Sequence, residues 1–291
     1  MQNVQQMPPR ISSEDWPALR SLISQALRED IGEGDATTIA LIPQDARGQG
    51  AIITRHTCRI AGLEIAREVF RQLAPELRVE TPCNDGDEVP PGEIIMSLNG
   101  PLRPILTGER TALNFMQRLC GIATLTATFV EKTRGRPVRI LDTRKTTPTL
   151  RCLEKHAVLC GGGVNHRFGL FDMILIKDNH RRFRSGSAGL ADAIRDARRQ
   201  YPNLPLEVEV ESEEELREAL TACPDWILLD NMSPAQMRRC AEITAGRCKL
   251  EASGGITLAT IEEVAATGVD AVSLGCLTHS APAADLTLEL Q

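Results

Sequence analysis

The sequence predicts an α/β protein in which a mixed N-terminal domain is followed by a parallel β/α barrel. Short apolar runs recur from residue 138 onward, and each one ends in a polar residue or a glycine. Helical patterns lie between these runs, and strands that alternate with helices form a parallel sheet. Because no G-x-G-x-x-G follows the first of these strands, a barrel is favoured over a doubly wound sheet.

The ends of the predicted barrel strands are the first place to look for function. The strands cover residues 138–142, 173–177, 206–211, 226–230, 249–253 and 271–275. Helices are predicted between them at residues 188–200, 213–220, 234–243 and 257–266. Active sites of such barrels lie at the C-terminal ends of the strands. Since every one of these ends is polar, charged or glycine-rich, we expect a functional site at that edge.

The first third of the chain mixes strands and helices. Apolar spacing predicts helices at residues 14–29 and 63–73 and strands at residues 50–58 and 92–98, with a tight turn at 84–87. Glycines interrupt residues 30–38 (DIGEGDATT), which we therefore interpret as a loop. A long amphipathic helix over residues 108–129, broken or capped near Gly121, leads into the second domain.

Composition restricts the class of protein. The chain has 291 residues, of which 42% are apolar and 25% are charged, and its formal charge is −6. These values are typical of a globular protein and argue against nucleic-acid binding through a broad basic surface. No apolar run is long enough to cross a membrane, and residues 1–10 lack the apolar core of an export signal. Nine scattered cysteines without a C-x-x-C pair indicate reduced thiols, so we expect a cytoplasmic protein.

Residues 142–180 form a cation-rich segment in this acidic chain. The segment holds six basic side chains: Arg144, Lys145, Arg151, Lys155, Arg167 and Lys177. It also holds three of the five histidines and the glycine run 161–163. Basic side chains, histidines and glycines between predicted strands indicate a pocket for a small, strongly anionic molecule. Arginines offer planar forks for carboxylates, and we assign that role to Arg110, Arg144 and Arg167.

Two residues of this segment allow more than one interpretation. Lys145 and Lys177 supply point charges for an anion. A lysine buried at a barrel strand end can instead form a Schiff base, which is the alternative for Lys177. His166 could act as an acid or base or as a hydrogen-bonding orienter, and a purely structural role is equally compatible with the sequence.

Acidic side chains at two strand ends predict a divalent cation. Glu209 and Asp230 end neighbouring strands, and oxygen ligands of this kind suit Mg²⁺ with part of its water shell retained. Glu207, Glu209 and Glu211 alternate with apolar residues, so all three would face one side of their strand. Spacing to Asp230 favours Glu209, with Glu211 second. A solvated acidic edge is the alternative.

The loops after the last two strands are rich in backbone donors. Their residues are Ser253, Gly254, Gly255, Ser273, Leu274 and Gly275. Late loops of these barrels often present N–H groups at a helix N-terminus to a phosphate. Glycines that merely close tight turns are the alternative. The pairing of two such loops favours phosphate binding.

Several ordered motifs resemble the quinolinate phosphoribosyltransferase family. They are GERTALNFMQRLCGIAT (108–124), LDTRKTTPTLR (141–151), GGGVNHRFGL (161–170), ILIKDNH (174–180), EVEVES (207–212), LLDNM (228–232), EASGGIT (251–257) and SLGCLTHSAPAADLTLEL (273–290). The resemblance covers nearly the whole chain. One departure is Thr149, where the family more often has glycine after Thr-Thr-Pro, and it puts the conformation of that loop in question.

The resemblance implies a two-domain subunit. An α/β sandwich would occupy residues 1–115, with the C-terminal tail 279–291 returning to it, and an incomplete, open barrel would occupy residues 116–278. It also implies a homodimer in which the sandwich domain of one copy closes over the barrel of the other. Arg110 would then reach into the site of the second copy.

The resemblance further implies a reaction and roles for the residues above. Quinolinate and 5-phosphoribosyl 1-pyrophosphate would give nicotinate mononucleotide, pyrophosphate and CO2. Quinolinate would be bound by Arg110, Thr143, Arg144, His166, Arg167 and Lys177. Lys145, Glu209 and Asp230 would address the phosphoribosyl pyrophosphate and Mg²⁺, and the two serine- and glycine-containing loops would take its 5-phosphate. A related transferase acting on another heterocycle, or a non-catalytic metabolite-binding protein, is the alternative.

Overall fold

A computed structural model describes residues 11–183 and 189–290. The N-terminal segment 1–10, for which no export signal is predicted, lies outside the described residues, as does Ala188 at the start of a predicted helix. The chain divides into two compact units. The first comprises Met1–Ala127, Thr147–Gly162 and Ser280–Gln291, and the second comprises Thr128–Thr146 and Gly163–His279.

Helices and strands alternate along most of the chain. The helices are α1 (Trp16–Ile31), α2 (Ala36–Leu41), α3 (Leu63–Leu73), α4 (Leu102–Lys132), α5 (Arg151–Cys160), α6 (Asp178–Arg182), α7 (Leu190–Gln200), α8 (Glu213–Leu220), α9 (Pro234–Thr244), α10 (Ile261–Ala265) and α11 (Cys276–His279). The strands are β1 (Arg47–Thr54), β2 (Cys58–Arg59), β3 (Arg78–Glu80), β4 (Glu88–Val89), β5 (Ile94–Pro101), β6 (Arg139–Leu141), β7 (Ile174–Ile176), β8 (Leu206–Val210), β9 (Trp226–Asp230), β10 (Lys249–Ser253), β11 (Ala271–Ser273) and β12 (Leu286–Leu290).

The first unit contains a four-stranded antiparallel sheet in the order β12-β1-β5-β3. The C-terminal strand β12 pairs with β1, with Gly50 opposite Leu290 and Thr54 opposite Leu286. The tail that was predicted to return to the first domain therefore completes this sheet. Ile52 and Leu98, on β1 and β5, are almost fully buried and form part of the core.

Helix α4 differs from its prediction. It continues without interruption from Leu102 to Lys132, so the expected break near Gly121 is absent. A Cβ atom at Gly121 would lie 2.0 Å from the carbonyl oxygen of Pro282. The glycine thus lets the backbone of the C-terminal segment pack directly on the helix, and it does not end the helix.

The loop predicted over residues 30–38 is correct only in part, because α2 begins inside it. Asp35 caps this helix, and its side chain accepts a hydrogen bond from the backbone N–H of Thr38 at 3.0 Å. An aspartate at this position satisfies one of the free N–H groups of the first turn. The glycines before it concealed the short helix in the sequence.

The second unit contains a six-stranded parallel sheet in the order β6-β11-β10-β9-β8-β7. Within the described residues, β6 and β7 do not pair with each other, so the sheet is an open, barrel-like arrangement. The predicted fold class is thereby confirmed. Strands β9 and β10 have the predicted bounds, and their register places Asp230 opposite Ser253.

The domain bounds predicted at 1–115 and 116–278 stay a prediction, and the compact units follow a different division. The change from the first unit to the second falls after Ala127, inside α4. Residues 147–162, which include α5, belong to the first unit. Among the described residues, none of the helices combines the length and apolar composition needed to span a lipid bilayer.

Candidate active site

A cavity of about 620 Å³ lies at the C-terminal ends of the parallel strands in the second unit. Its lining includes twelve of the residues predicted from sequence: Thr143, Arg144, Lys145, His166, Arg167, Lys177, Glu209, Asp230, Ser253, Gly254, Gly255 and Ser273. Leu175, Leu228, Asn231 and Glu251 complete the lining. Residues from six separate strand ends therefore meet in one place, as the barrel rule requires.

Three predicted site residues do not line this cavity. Arg110 lies on α4 in the first unit, where its side chain is 58% exposed. Leu274 is buried, and its backbone N–H donates to the carbonyl oxygen of Leu141. Gly275 lies beside the cavity residue Lys145, because a Cβ there would be 2.9 Å from Lys145 Cδ. Gly275 thus leaves room for the lysine.

The cationic side of the cavity is built on the segments after β6 and before β7. The backbone N–H of Lys145 donates to Thr143 Oγ1 at 3.1 Å, and its carbonyl oxygen accepts from Thr278 Oγ1 at 2.8 Å. Arg167 Nη1 donates to the carbonyl oxygen of Met173 at 3.2 Å. Burial and, after it, the charge of Arg144 lower the pKa of Arg167. An anion between the two guanidinium groups would relieve this repulsion.

The acidic side is formed by the ends of β8 and β9. Glu209 is buried and forms an ion pair with Lys177. Asp230 accepts a hydrogen bond from the side-chain amide of Asn231 at 2.7 Å. Glu211, the second candidate for this role, is exposed beyond the end of β8 and does not line the cavity. Glu209 and Asp230 are therefore the strand-end carboxylates that could hold a hard divalent cation.

Lys177 has a side chain that is 43% exposed and paired with Glu209. The Schiff-base alternative calls for a buried amine in an apolar pocket or beside another cation. A half-exposed ammonium group beside a carboxylate suits anion binding better.

The backbone after β10 requires glycine at two successive positions. Gly254 and Gly255 have φ values of 90° and 62°, which side chains rarely adopt. A Cβ at Gly254 would also lie 2.2 Å from Asn231 Oδ1. Ser273 Oγ donates to Ser253 Oγ at 3.1 Å, so the two late loops are joined at this point. The close approach to Asn231 requires glycine at this position, and phosphate binding by this loop stays a prediction.

Sequence reasoning missed a buried cluster at the wall of the cavity, in which His166 and Glu251 line the cavity and Glu207 lies behind them. His166 Nε2 lies 3.0 Å from Glu207 Oε2 and 3.3 Å from Glu251 Oε2, and both carboxylates are almost fully buried. Burial opposes protonation of His166, but the hydrogen bonds and charges of the two glutamates outweigh it and raise the pKa of the imidazole. Burial and the charge of Glu251 in turn raise the pKa of Glu207. The alternation Leu-Glu-Val-Glu-Val in β8 was the available signal.

Comparisons with known proteins agree over nearly the whole chain. Residues 35–120 match the model of the quinolinate phosphoribosyl transferase N-terminal domain, and residues 122–289 match that of the C-terminal domain. A probable carboxylating nicotinate-nucleotide pyrophosphorylase of Bacillus subtilis is 41% identical, over 94% of this chain and 93% of the relative. The carboxylating nicotinate-nucleotide pyrophosphorylase of Mycobacterium leprae is 40% identical, over 96% of this chain and all of the relative.

Solved structures give the same result. The nicotinate-nucleotide pyrophosphorylase from Francisella tularensis superposes with a TM-score of 0.90 at 37% identity, covering 98% of this chain and 99% of that one. NadC from Streptococcus pyogenes superposes with a TM-score of 0.91 at 38% identity, covering 95% and 97% of the two chains. With both domain models matched and both relatives covered almost completely, the chain belongs to the quinolinate phosphoribosyltransferase family.

Proposed function

We propose that this chain transfers the phosphoribosyl group of 5-phosphoribosyl 1-pyrophosphate to quinolinate and releases CO2, giving nicotinate mononucleotide and pyrophosphate. The observation that carries the proposal is the one cavity that Arg144, Arg167 and Lys177 line together with Glu209 and Asp230. Such a cavity offers cations for a diacid and carboxylates for a metal-bound pyrophosphate. The names of the relatives agree with this activity.

Quinolinate recognition is assigned to the cationic side. Arg144 and Arg167 supply planar forks for the two carboxylates, and Lys177 supplies a point charge. Nicotinate has one carboxylate and would leave a cation in the cavity unpaired. The loss is on the order of 2–5 kcal/mol for each buried charge left without its partner. This difference accounts for selection of the diacid.

The phosphoribosyl donor is assigned to the carboxylates and the glycine loop of the same cavity. Glu209 and Asp230 would hold Mg²⁺, because they lie near the C-terminal ends of the adjacent strands β8 and β9 and line one cavity. The metal, when bound, neutralises charge on the pyrophosphate leaving group. Lys145 lines the same cavity and would add a fixed positive charge toward the same group. The 5-phosphate would meet the backbone N–H groups of Gly254 and Gly255.

The chemistry follows from where charge develops. Cleavage of the bond between ribose C1 and pyrophosphate leaves positive charge on the ribose, which the fixed carboxylate of Glu209 can stabilise. The pyridine nitrogen of quinolinate, oriented by Arg144 and Arg167, then forms the new bond to C1. Loss of the adjacent carboxylate as CO2 leaves an electron pair on ring C2, which the positive charge of the neighbouring pyridinium nitrogen stabilises. A proton from solvent then takes the place of the carboxylate and gives nicotinate mononucleotide. The protein's part is to orient both substrates and stabilise opposite charges.

A direct assay tests the proposal. The chain is incubated with quinolinate, 5-phosphoribosyl 1-pyrophosphate and Mg²⁺, and nicotinate mononucleotide is measured by chromatography. We expect product with quinolinate, little with nicotinate, and loss of turnover when EDTA removes the metal. Turnover of another heterocycle but not quinolinate would favour the related transferase. Borohydride trapping of a substrate on Lys177 would favour a Schiff-base lyase.

We also propose a cytoplasmic homodimer. Arg110 lies outside the cavity of its own chain and on the first unit, with a largely exposed guanidinium. This placement is compatible with its entering the cavity of a second copy, as the resemblance implies. Closed two-fold association is the commonest assembly of soluble proteins.

A further inference from the structure

His166 is held on three sides by groups that the reaction does not use. Its backbone N–H donates to Asp142 Oδ1 at 2.8 Å, and Asp142 is fully buried just after β6. Its ring nitrogen Nε2 faces Glu207 on β8 and Glu251 on β10 at 3.0 and 3.3 Å. Inward-facing residues of alternate barrel strands meet in one layer, which explains why these two glutamates converge.

The other ring nitrogen defines the tautomer. The backbone N–H of Arg167 donates to His166 Nδ1 at 2.7 Å. A nitrogen that accepts a hydrogen bond carries a lone pair, so the one ring proton must be on Nε2. The two glutamates raise the pKa of the imidazole, but a second proton on Nδ1 would point at the N–H of Arg167, whose nitrogen lies 2.7 Å away, so this contact keeps the ring neutral. Nε2–H is then the donor toward the two carboxylates.

The same geometry argues against a metal ion in this cluster. The ring nitrogen and two carboxylates lie close enough together to resemble a ligand set. A metal on Nε2 would require the proton to move to Nδ1, where it would oppose the N–H of Arg167. The three groups are therefore better described as a hydrogen-bonded support.

We propose that Glu207 and Glu251 are positioning residues for quinolinate, acting through His166 on Arg167. They accept from Nε2–H, which fixes the ring so that Nδ1 receives the backbone N–H of Arg167 and holds the main chain from which the Arg167 side chain enters the cavity. Both ring nitrogens of His166 are thereby committed within the protein, so His166 supports the quinolinate site without donating to the substrate. The proposal rests on the proposed function for the identity of the anion.

A spectroscopic test addresses the tautomer without any substrate. Long-range ¹H–¹⁵N correlation spectra of the full-length chain, labelled on histidine nitrogens, distinguish protonated from unprotonated ring nitrogens. His166→Gln identifies the signal by its disappearance. We expect protonated Nε2 and unprotonated Nδ1 at pH 7. A protonated Nδ1, whether in an imidazolium or in the other tautomer, would overturn the proposal even if the enzyme is fully active.

A kinetic test addresses the positioning role. Glu207 is chosen because it is fully buried and does not line the cavity. Glu207→Met removes the acceptor, and we expect KM for quinolinate to rise on the order of 10- to 100-fold while KM for phosphoribosyl pyrophosphate stays unchanged. Glu207→Gln keeps a carbonyl acceptor and should recover most of the affinity.

A matched control separates positioning from general loss of packing. Glu68 is a buried glutamate in the first unit, where it pairs with Arg71 at 2.6 Å. Glu68→Gln should lower Tm and leave both KM values unchanged. If Glu207→Met raises both KM values equally, or if Glu207→Gln behaves like Glu207→Met, the positioning role is wrong. If the unmodified chain forms no product, the proposed function fails, and the spectroscopic result still decides the tautomer.

Discussion

Thr149 adopts a backbone conformation that disfavours its own side chain. Its φ is 69°, in the left-handed region where β-branched residues are rare. The sequence identified this position, because the family that the chain resembles more often has glycine there. Glycine carries no Cβ penalty in this region, whereas other residues lose about 1–2 kcal/mol.

Thr149→Gly is therefore expected to stabilise the protein. Relief of the left-handed strain outweighs the extra entropy of glycine in the unfolded chain, and we expect the free energy of unfolding to rise by about 1 kcal/mol. Urea denaturation followed by circular dichroism measures the change. Ala266→Gly is the control, since Ala266 is exposed with a φ of −87° and should lose stability. A fall in stability for Thr149→Gly would show that the loop needs the threonine side chain.

Substitution of single charged residues in the cavity should affect either substrate binding or turnover. Arg144→Ala or Arg167→Ala removes a partner of the quinolinate carboxylates, so KM for quinolinate should rise by roughly 30-fold or more, equivalent to about 2 kcal/mol. Glu209→Ala should mainly lower kcat, on the order of 100-fold, because it faces charge that develops during transfer. Steady-state kinetics with each substrate varied measures both effects.

The control for these variants is Arg195→Ala. Arg195 lies on α7 in an exposed ion pair with Asp192, and its loss should leave both constants unchanged. Near-normal kinetics for all three cavity variants would reject the assignment of the site.

Among the elements, α4 shows how a glycine can be misinterpreted. The sequence suggested a break at Gly121, and the structure shows an intact helix against which Pro282 packs. Helix propensity and packing now predict opposite signs for the same substitution. Alanine improves propensity by about 1 kcal/mol in a helix interior, whereas a Cβ 2.0 Å from a carbonyl oxygen forces backbone to move.

Gly121→Ala should therefore destabilise the protein by about 1–3 kcal/mol, the usual result of overpacking. Thermal and urea unfolding measure the change. Asn114→Ala is the control, because Asn114 is exposed on the same helix and should gain slightly from propensity. Increased stability of Gly121→Ala would mean that the C-terminal segment does not pack closely on α4.

The strands of the parallel sheet were predictable because each is a short apolar run ended by a polar residue. Strands β9 and β10 have the predicted bounds for this reason. Helix α5 has no counterpart among the predicted helices, because Glu154, Lys155 and His156 are buried along with its apolar residues. A helix buried on most of its surface lacks the polar stripe that periodicity detects.

The candidate site, like the parallel strands, was predictable from the sequence only in part. Strand-end charges could be located from sequence because barrels collect them at one edge. The choice between Glu209 and Glu211 could not be made, because both share one face of the pleat and only the end of β8 at Val210 separates them. The contact of His166 with Glu207 and Glu251 depends on the register of three distant segments, which local pattern does not contain.

On the scale of the whole molecule, the proposed dimer makes a prediction about mixed subunits. If Arg110 acts in the cavity of a second copy, Arg110→Ala and Glu209→Ala damage different parts of each shared site. A heterodimer of the two variants then retains one cavity with both residues intact. We expect each homodimer to be nearly inactive. The heterodimer should recover up to roughly half the turnover of the normal dimer, because one of its two cavities is intact.

The measurement uses differently tagged subunits purified as verified heterodimers. A mixture of Glu209→Ala with Asp230→Ala is the control. These two residues line the cavity of one chain, so each cavity of this heterodimer lacks one of them. No activity should return unless one of the two residues acts in the cavity of the second copy. Absence of recovery in Arg110 heterodimers would place Arg110 outside the active site.

The pairing of β12 with β1 affects how the chain can fold during translation. Strand β12 leaves the ribosome after every strand of the parallel sheet, which ends with β11 at Ser273. Synthesis adds about 5–20 residues each second, so β1 waits many seconds for its neighbour. The antiparallel sheet of the first unit is consequently completed only after every strand of the parallel sheet has been translated. Until β12 arrives, one edge of β1 must be protected by a chaperone or by packing within the nascent chain.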